Sequence, residues 1–141
     1  MPSVETFTSN SEKDTFEFAR KLALSLKGGE CLAVSGDLGA GKTVFAKGLA
    51  KGLDISGTVT SPTFIIMNEY PCGRLKFYHF DMYRIDTKQA ENLGFGEYFD
   101  EAGAVCLVEW PENVTGILPP HTVHIEIKRT GEETREITLL R

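Results

Sequence analysis

The chain has 141 residues, 41% of them hydrophobic, and a formal net charge of −5 with a pI near 5.2. That length and apolar share suit one domain with a substantial core. The acidic balance argues against direct, high-affinity nucleic-acid binding, which needs a concentrated basic face. There is no run of eighteen apolar residues and no basic-then-apolar leader, so the expectation is a soluble cytoplasmic protein without a membrane partner.

In chain order, Val4 to Thr8 alternates weakly and reads as an edge strand. Ser11 to Asp14 resembles a relaxed capping box, opening a helix to about Leu26 with Phe16, Ala19, Ala23 and Leu26 on one stripe, and Gly28-Gly29 stops it. Glu30-Cys31-Leu32-Ala33-Val34-Ser35 reads as a buried strand, and Val44 to Lys51 as a helix ending near Gly52. Phe64–Tyr70 and Leu75–Asp81 read as strands joined by the turn Pro71-Cys72-Gly73-Arg74. Thr87 to Leu93 is a short helix stopped by Gly94, Ala104 to Glu109 a strand buried on both faces, and His121–Lys128 with Arg135–Leu140 a closing hairpin. With no repeat, low-complexity tract or linker, this order predicts a single α/β domain over residues 1–141: a mixed sheet with parallel core strands and antiparallel additions, flanked by helices.

Between the buried strand and its helix lies Gly36-Asp37-Leu38-Gly39-Ala40-Gly41-Lys42-Thr43, which fits G-x-x-x-x-G-K-[ST], the phosphate-binding P-loop. The chemistry explains the residue types. Successive backbone N–H groups form an anion nest, and glycines such as Gly36 and Gly41 adopt angles closed to other residues and let phosphates approach. The helix beginning near Lys42 adds unpaired N–H groups and the positive end of its dipole. Lys42 is placed to reach the β- and γ-phosphates, and the Thr43 hydroxyl to ligate Mg²⁺, a hard ion that prefers oxygen. The loop therefore predicts a nucleoside triphosphate and a metal together.

Such a loop needs a carboxylate at a nearby strand end, to hold the metal shell or position the attacking water. Glu109 ends Val105-Cys106-Leu107-Val108, a run matching a Walker B strand, and Asp81 ends Phe77-Tyr78-His79-Phe80. Either could instead be a solvated strand-end acid. His79 reads as a packed core histidine rather than a catalytic one. Trp110, the only tryptophan, is hydrophobic mass or, through its place beside Glu109, a neighbour of the phosphates. Asp100-Glu101-Ala102-Gly103 matches the D-x-x-G of GTPases, but follows a helical-looking segment and has no N-K-x-D companion, so it reads as a decoy. Asn113-Val114-Thr115 is a formal glycosylation sequon with nothing else to suggest secretion. Cys31 and Cys106 read as small core residues, and with Cys72 they lack metal-ligand spacing. Lys47 and Lys51 read as a solvated helix face.

Four segments in order carry a family resemblance: the P-loop, Ser61-Pro62-Thr63-Phe64, His79-Phe80-Asp81-Met82-Tyr83-Arg84, and Val108-Glu109-Trp110-Pro111-Glu112. Together they resemble the TsaE (YjeE) family of bacterial ATPases required for the threonylcarbamoyladenosine modification of tRNA, over nearly the whole chain from Ser11. The resemblance implies a small P-loop fold binding ATP and Mg²⁺. By it, Gly36 to Thr43 hold the phosphates, Thr43 and Glu109 serve the metal, and Asp81 sits near the γ-phosphate and is needed for turnover. Lys42, Asp81 and Glu109 are then the catalytic set. Ser61 and Thr63 fall in a switch-like segment, Trp110 lies beside the site, and Glu12 lies in a segment placed near the adenine. Pro62 biases Ser61 toward extended backbone.

Two positions depart from the family pattern. Val44 replaces a second threonine, and Gly96 stands where an acidic residue is common, leaving Glu97. The implied partners are TsaD- and TsaB-type subunits, with tRNA met only through them and the oligomeric state left open. Weak intrinsic ATPase activity, stimulated by those partners, is expected; Arg84 is the internal candidate for an arginine finger or, equally, a structural ion pair. Two other functions compete: a small-molecule P-loop kinase, for which the chain lacks a basic lid insertion, and an ATP-sensing scaffold in which turnover is incidental.

Overall fold

The computed structural model describes residues 3–37, 39–60, 62 and 66–141. Its elements run β1 (Val4–Ser9), α1 (Glu12–Leu24), β2 (Cys31–Ser35), α2 (Lys42–Gly52), β3 (Met67–Tyr70), β4 (Lys76–Asp81), α3 (Thr87–Asn92), β5 (Ala104–Glu109), β6 (Val123–Arg129) and β7 (Arg135–Leu140). The strands form one seven-stranded sheet in the order β1-β7-β6-β2-β5-β4-β3. The pairs β6–β2, β2–β5 and β5–β4 are parallel, whereas β1–β7, β7–β6 and β4–β3 are antiparallel. The expected α/β domain with a parallel centre and antiparallel additions is therefore present, and the first strand is an edge.

The central strands are buried on both faces, and alternate side chains feed two cores. Leu32, Val34, Val105, Leu107 and Phe77 point to the side covered by α1 and α2. Cys31, Cys106, Val108, Tyr78 and Phe80 point to the other, where Phe80 meets Phe95, Tyr98 and Phe99 edge-on with centroids 5.1–6.0 Å apart. That second layer is built from α3 and a 3-10 helix at Phe95–Asp100, so the Asp100–Gly103 segment leads out of a helical turn into the start of β5, at the opposite end of the strands from the P-loop.

α1 begins where Ser11 accepts from the Asp14 N–H at 3.1 Å. The reciprocal bond reaches one residue further back than a capping box requires, from the Asn10 N–H to the Asp14 carboxylate at 3.0 Å. The helix ends at Leu24 instead of Leu26, because Ser25 caps it by donating its hydroxyl to the Leu22 carbonyl. β6 starts at Val123 rather than His121, since the Thr122 hydroxyl turns back to the Pro119 carbonyl. α3 has a complete capping box between Asp86 and Gln89, and Gly94 stops it at φ 74°.

Cys31 and Cys106 are register partners on β2 and β5, both buried, and burial pushes the Cys31 thiol up to about 12. Cys72 is exposed on the turn before β4. A thiol reagent at neutral pH should therefore label Cys72 alone in the native protein and all three cysteines in denaturant. Native labelling of Cys31 or Cys106 at the Cys72 rate would contradict this burial.

Candidate functional site

The carboxyl ends of β2, β4 and β5 meet at one edge of the parallel sheet, the position where open α/β sheets form their binding crevice. A cavity of about 920 Å³ opens there. Ser11, Glu12, Lys13 and Thr15 from α1 and its cap line one wall, and Gly39, Gly41, Lys42, Thr43 and Val44 line the floor. Asp81, Tyr83 and Arg84 follow β4, Glu109 and Trp110 end β5, and Glu132, Glu133 and Arg135 come from the β6–β7 hairpin.

The floor is a helix N-terminus. Gly41 is the α2 N-cap at φ 108°, with no side-chain capping bond and no acidic residue in the first turn. The Phe45 N–H closes the first helical turn on the Gly41 carbonyl, so the N–H groups of Lys42, Thr43 and Val44 have no intrahelical acceptor. Gly36 has a different reason to be glycine. Its Cβ would lie 2.6 Å from the Ile127 carbonyl, so it allows the loop to leave β2 close against β6. Asp37 is exposed and turns the chain by accepting from the Ala40 N–H, while Ala40 is buried. Leu38, Ser61 and Thr63 lie outside the described residues.

Lys42 is only 6% exposed, yet among the described residues its ammonium has no hydrogen-bond acceptor. It sits 4.0 Å from the centroid of the Trp110 ring. Trp110 turns off β5 at φ 57°, in the left-handed region, and Pro111 opens a 3-10 turn behind it. The Asn113 amide locks that turn onto the Met82 and Tyr83 carbonyls at 2.9 and 3.3 Å, and the Tyr83 ring lies 4.9 Å from Trp110. Thus the segments after β4 and β5 fold as one unit over the lysine.

Asp81 and Glu109 are directly opposed in the β4–β5 register, and both are nearly buried. Asp81 accepts the Tyr83 N–H at 3.0 Å through Oδ1. Its own N–H donates at 2.7 Å to the carbonyl of Ile66, a β-branched residue at φ 70° whose N–H is held by Pro62. Glu109 accepts from His79 Nε2 at 2.5 Å. A carboxylate can only accept, so Nε2 is the donor, which leaves Nδ1 without a partner among the described residues. His79 is thus a packed core histidine, as its strand position suggests, but one aimed at the carboxylate beside the loop.

The set suits a triphosphate with a hard cation. An unpaired buried ammonium and a helix N-terminus are positive and face the same cavity as two carboxylates. Among the described residues no group of three or more His, Cys, Asp and Glu could hold a metal by itself. The opposed pair Asp81 and Glu109 is a donor set of the kind Mg²⁺ takes, one or two carboxylates with the shell completed by water and phosphate oxygens.

Lys42, Thr43, Asp81, Glu109, Trp110 and Glu12 therefore share one cavity, while Gly36, Asp37 and Ala40 support it without lining it. The sequence reading missed the hairpin wall and Tyr83. Arg135, Glu132 and Glu133 lie some ninety residues from the loop at no motif spacing, so only β7 pairing with β1 and β6 brings them in.

The family model described as threonylcarbamoyl adenosine biosynthesis protein TsaE matches residues 9–137. The chain is similar to the tRNA threonylcarbamoyladenosine biosynthesis protein TsaE of Bacillus subtilis, with 46% identity over 98% of this chain and 85% of the relative. It is 39% identical to the Treponema pallidum protein of the same name, over 93% of this chain and 96% of that one. Among solved structures, the crystal structure of Bacillus subtilis YdiB superposes with a TM-score of 0.87 at 41% identity, covering 99% of this chain and 86% of that chain.

Proposed function

Because this chain belongs to the TsaE family of tRNA threonylcarbamoyladenosine biosynthesis, we propose that it is a Mg²⁺-dependent ATPase assisting the complex that makes the modification. One observation carries this reading: the unpaired Lys42 ammonium, the open α2 N-terminus and the opposed carboxylates Asp81 and Glu109 all face a single cavity. Only a ligand that is polyanionic and brings a cation satisfies all three at once.

In the proposed cycle the first-turn N–H groups of α2 and Lys42 bind phosphate oxygens, and Lys42 leaves the Trp110 face to do so. Thr43 and Glu109 would hold Mg²⁺, which when bound neutralises charge developing on the transferred phosphoryl group. His79 fixes the Glu109 carboxylate through its short hydrogen bond. Tyr83 N–H fixes the Asp81 carboxylate, leaving Oδ2 to accept from and orient the attacking water. Glu12, Glu132 and Glu133 are acceptors at the cavity wall, suited to a base that presents an amino group. The carbamoyl-transfer chemistry belongs to TsaD- and TsaB-type partners, and the tRNA is met through them.

The test is multiple-turnover tRNA modification with purified partner subunits. Wild type should hydrolyse ATP slowly alone and faster with the partners. Asp81→Ala and Glu109→Ala should keep nucleotide affinity within a few-fold while losing about a hundredfold or more in turnover, the scale of removing one positioned polar group from a transition state. Full modification by both variants would refute the catalytic assignment. Hydrolysis that depends on one added metabolite would instead identify a kinase.

A further inference from the structure

Arg135 opens β7, and among the described residues its guanidinium hydrogen-bonds to main-chain carbonyls only. Nε donates to Ala40 O at 2.8 Å and Nη2 to Gly39 O at 3.2 Å. Nη1 donates to Thr134 O at 2.9 Å, with Gly131 O and Glu132 O each at 3.4 Å. The planar fork thus ties the tip of the β6–β7 hairpin to the loop that precedes α2. It does so despite a local cost: Arg129 and Arg135 are opposed in the β6–β7 register, and like charges directly opposite disfavour pairing.

The direction of these bonds matters more than their number. In a trans peptide the C=O and N–H point opposite ways. Holding Ala40 O toward the hairpin therefore turns the Gly41 N–H the other way, toward the cavity floor. The neighbouring Ala40 N–H is taken by Asp37 O and cannot serve. Gly41, with nothing closer than Arg135 Nε at 3.8 Å to where a Cβ would stand, has no side chain of its own to hold that peptide.

We propose that Arg135 is the positioning residue of the phosphate loop. By gripping the Gly39 and Ala40 carbonyls it pre-sets the Gly41 N–H for a phosphate oxygen, and it makes the hairpin tip respond to nucleotide. This rests on the nucleotide reading above. At most four of the five guanidinium N–H groups are engaged, all by backbone carbonyls, so the proposed role is to act through the loop.

Arg135→Lys keeps the charge and loses the fork, whereas Arg135→Gln loses both. Each should weaken ADP binding, measured without divalent metal, by about tenfold or more, the scale of one misdirected charge-assisted hydrogen bond. In the nucleotide-free proteins the amides of residues 39–44 and 130–134 should exchange hydrogen faster together. In wild type, ADP should slow exchange at 130–134 as well as at the loop. An Arg135→Lys protein that binds ADP like wild type would overturn the proposal, because charge alone would then suffice. So would a wild-type hairpin indifferent to ADP, or loop amides unchanged in both variants. A wild type that does not bind ADP would refute the ATPase reading, while nucleotide-free exchange would still decide whether Arg135 holds the loop.

Discussion

Lys42→Met should stabilise the nucleotide-free protein and at the same time weaken ADP and ATP binding about a hundredfold or more, the worth of a charge-assisted phosphate contact. The opposite signs follow from the burial of Lys42. The residue is 6% exposed, and among the described residues its ammonium has no acceptor, only the Trp110 ring at 4.0 Å. A cation over an aromatic face recovers about 0.5–2 kcal/mol, whereas burying an ammonium without a counter-ion costs several. Methionine fills the same volume and packs well on an indole without that penalty. A net gain of about 1 kcal/mol would raise the thermal midpoint by roughly 3 °C for a chain of this size. Thermal unfolding without nucleotide and an ADP titration decide the matter. A lower midpoint would mean that the lysine has a partner in solution, and unchanged affinity would remove it from the phosphate site.

Gly48→Ala should destabilise the fold by about 3 kcal/mol, the upper range for overpacking a closed contact, although alanine is the better helix former by about 1 kcal/mol. A Cβ at Gly48 would lie 2.3 Å from the Phe16 carbonyl and 3.0 Å from Ala19 Cβ, and one at Gly52 would lie 2.4 Å from the Arg20 carbonyl. Small residues on both helices, Ala19 and Ala23 against Gly48 and Gly52, let α1 and α2 touch backbone to backbone. The obstacle is main chain and cannot rotate aside, so the helices must part and loosen Phe45 and Leu49 in the core beneath. The site should suffer too, since Thr15 and Glu12 ride on α1 and Lys42 and Thr43 on α2. Gly96→Ala is the control, with nothing within 4 Å of its added carbon and no positive φ. Urea unfolding should separate the two variants clearly. A Gly48→Ala protein as stable as wild type would show that the helices can slide apart without loss.

Local pattern made most of the fold legible. The buried run before the P-loop, the helix after it and the strand ending at Glu109 lie where their apolar periods put them, because those signals live within ten residues. The misjudged boundaries at Leu26 and His121 were decided by single hydroxyls on backbone carbonyls, which no period reveals. The candidate site was legible only where a motif fixes spacing. Lys42 and Thr43 belong to the loop, and Asp81 and Glu109 to strand ends, but nothing local says that β4 lies next to β5 with those two acids in register.

By itself, then, the sequence determined the element types and the P-loop motif, which depend on residues near one another, and the family, which needs only four such short segments in order. Only the tertiary structure decided that the lysine is buried and unpaired under Trp110, that His79 grips Glu109, and that Arg135 holds the loop from the far hairpin. Those contacts join segments up to about a hundred residues apart, and the strand order that brings them together is a property of the packed sheet as a whole.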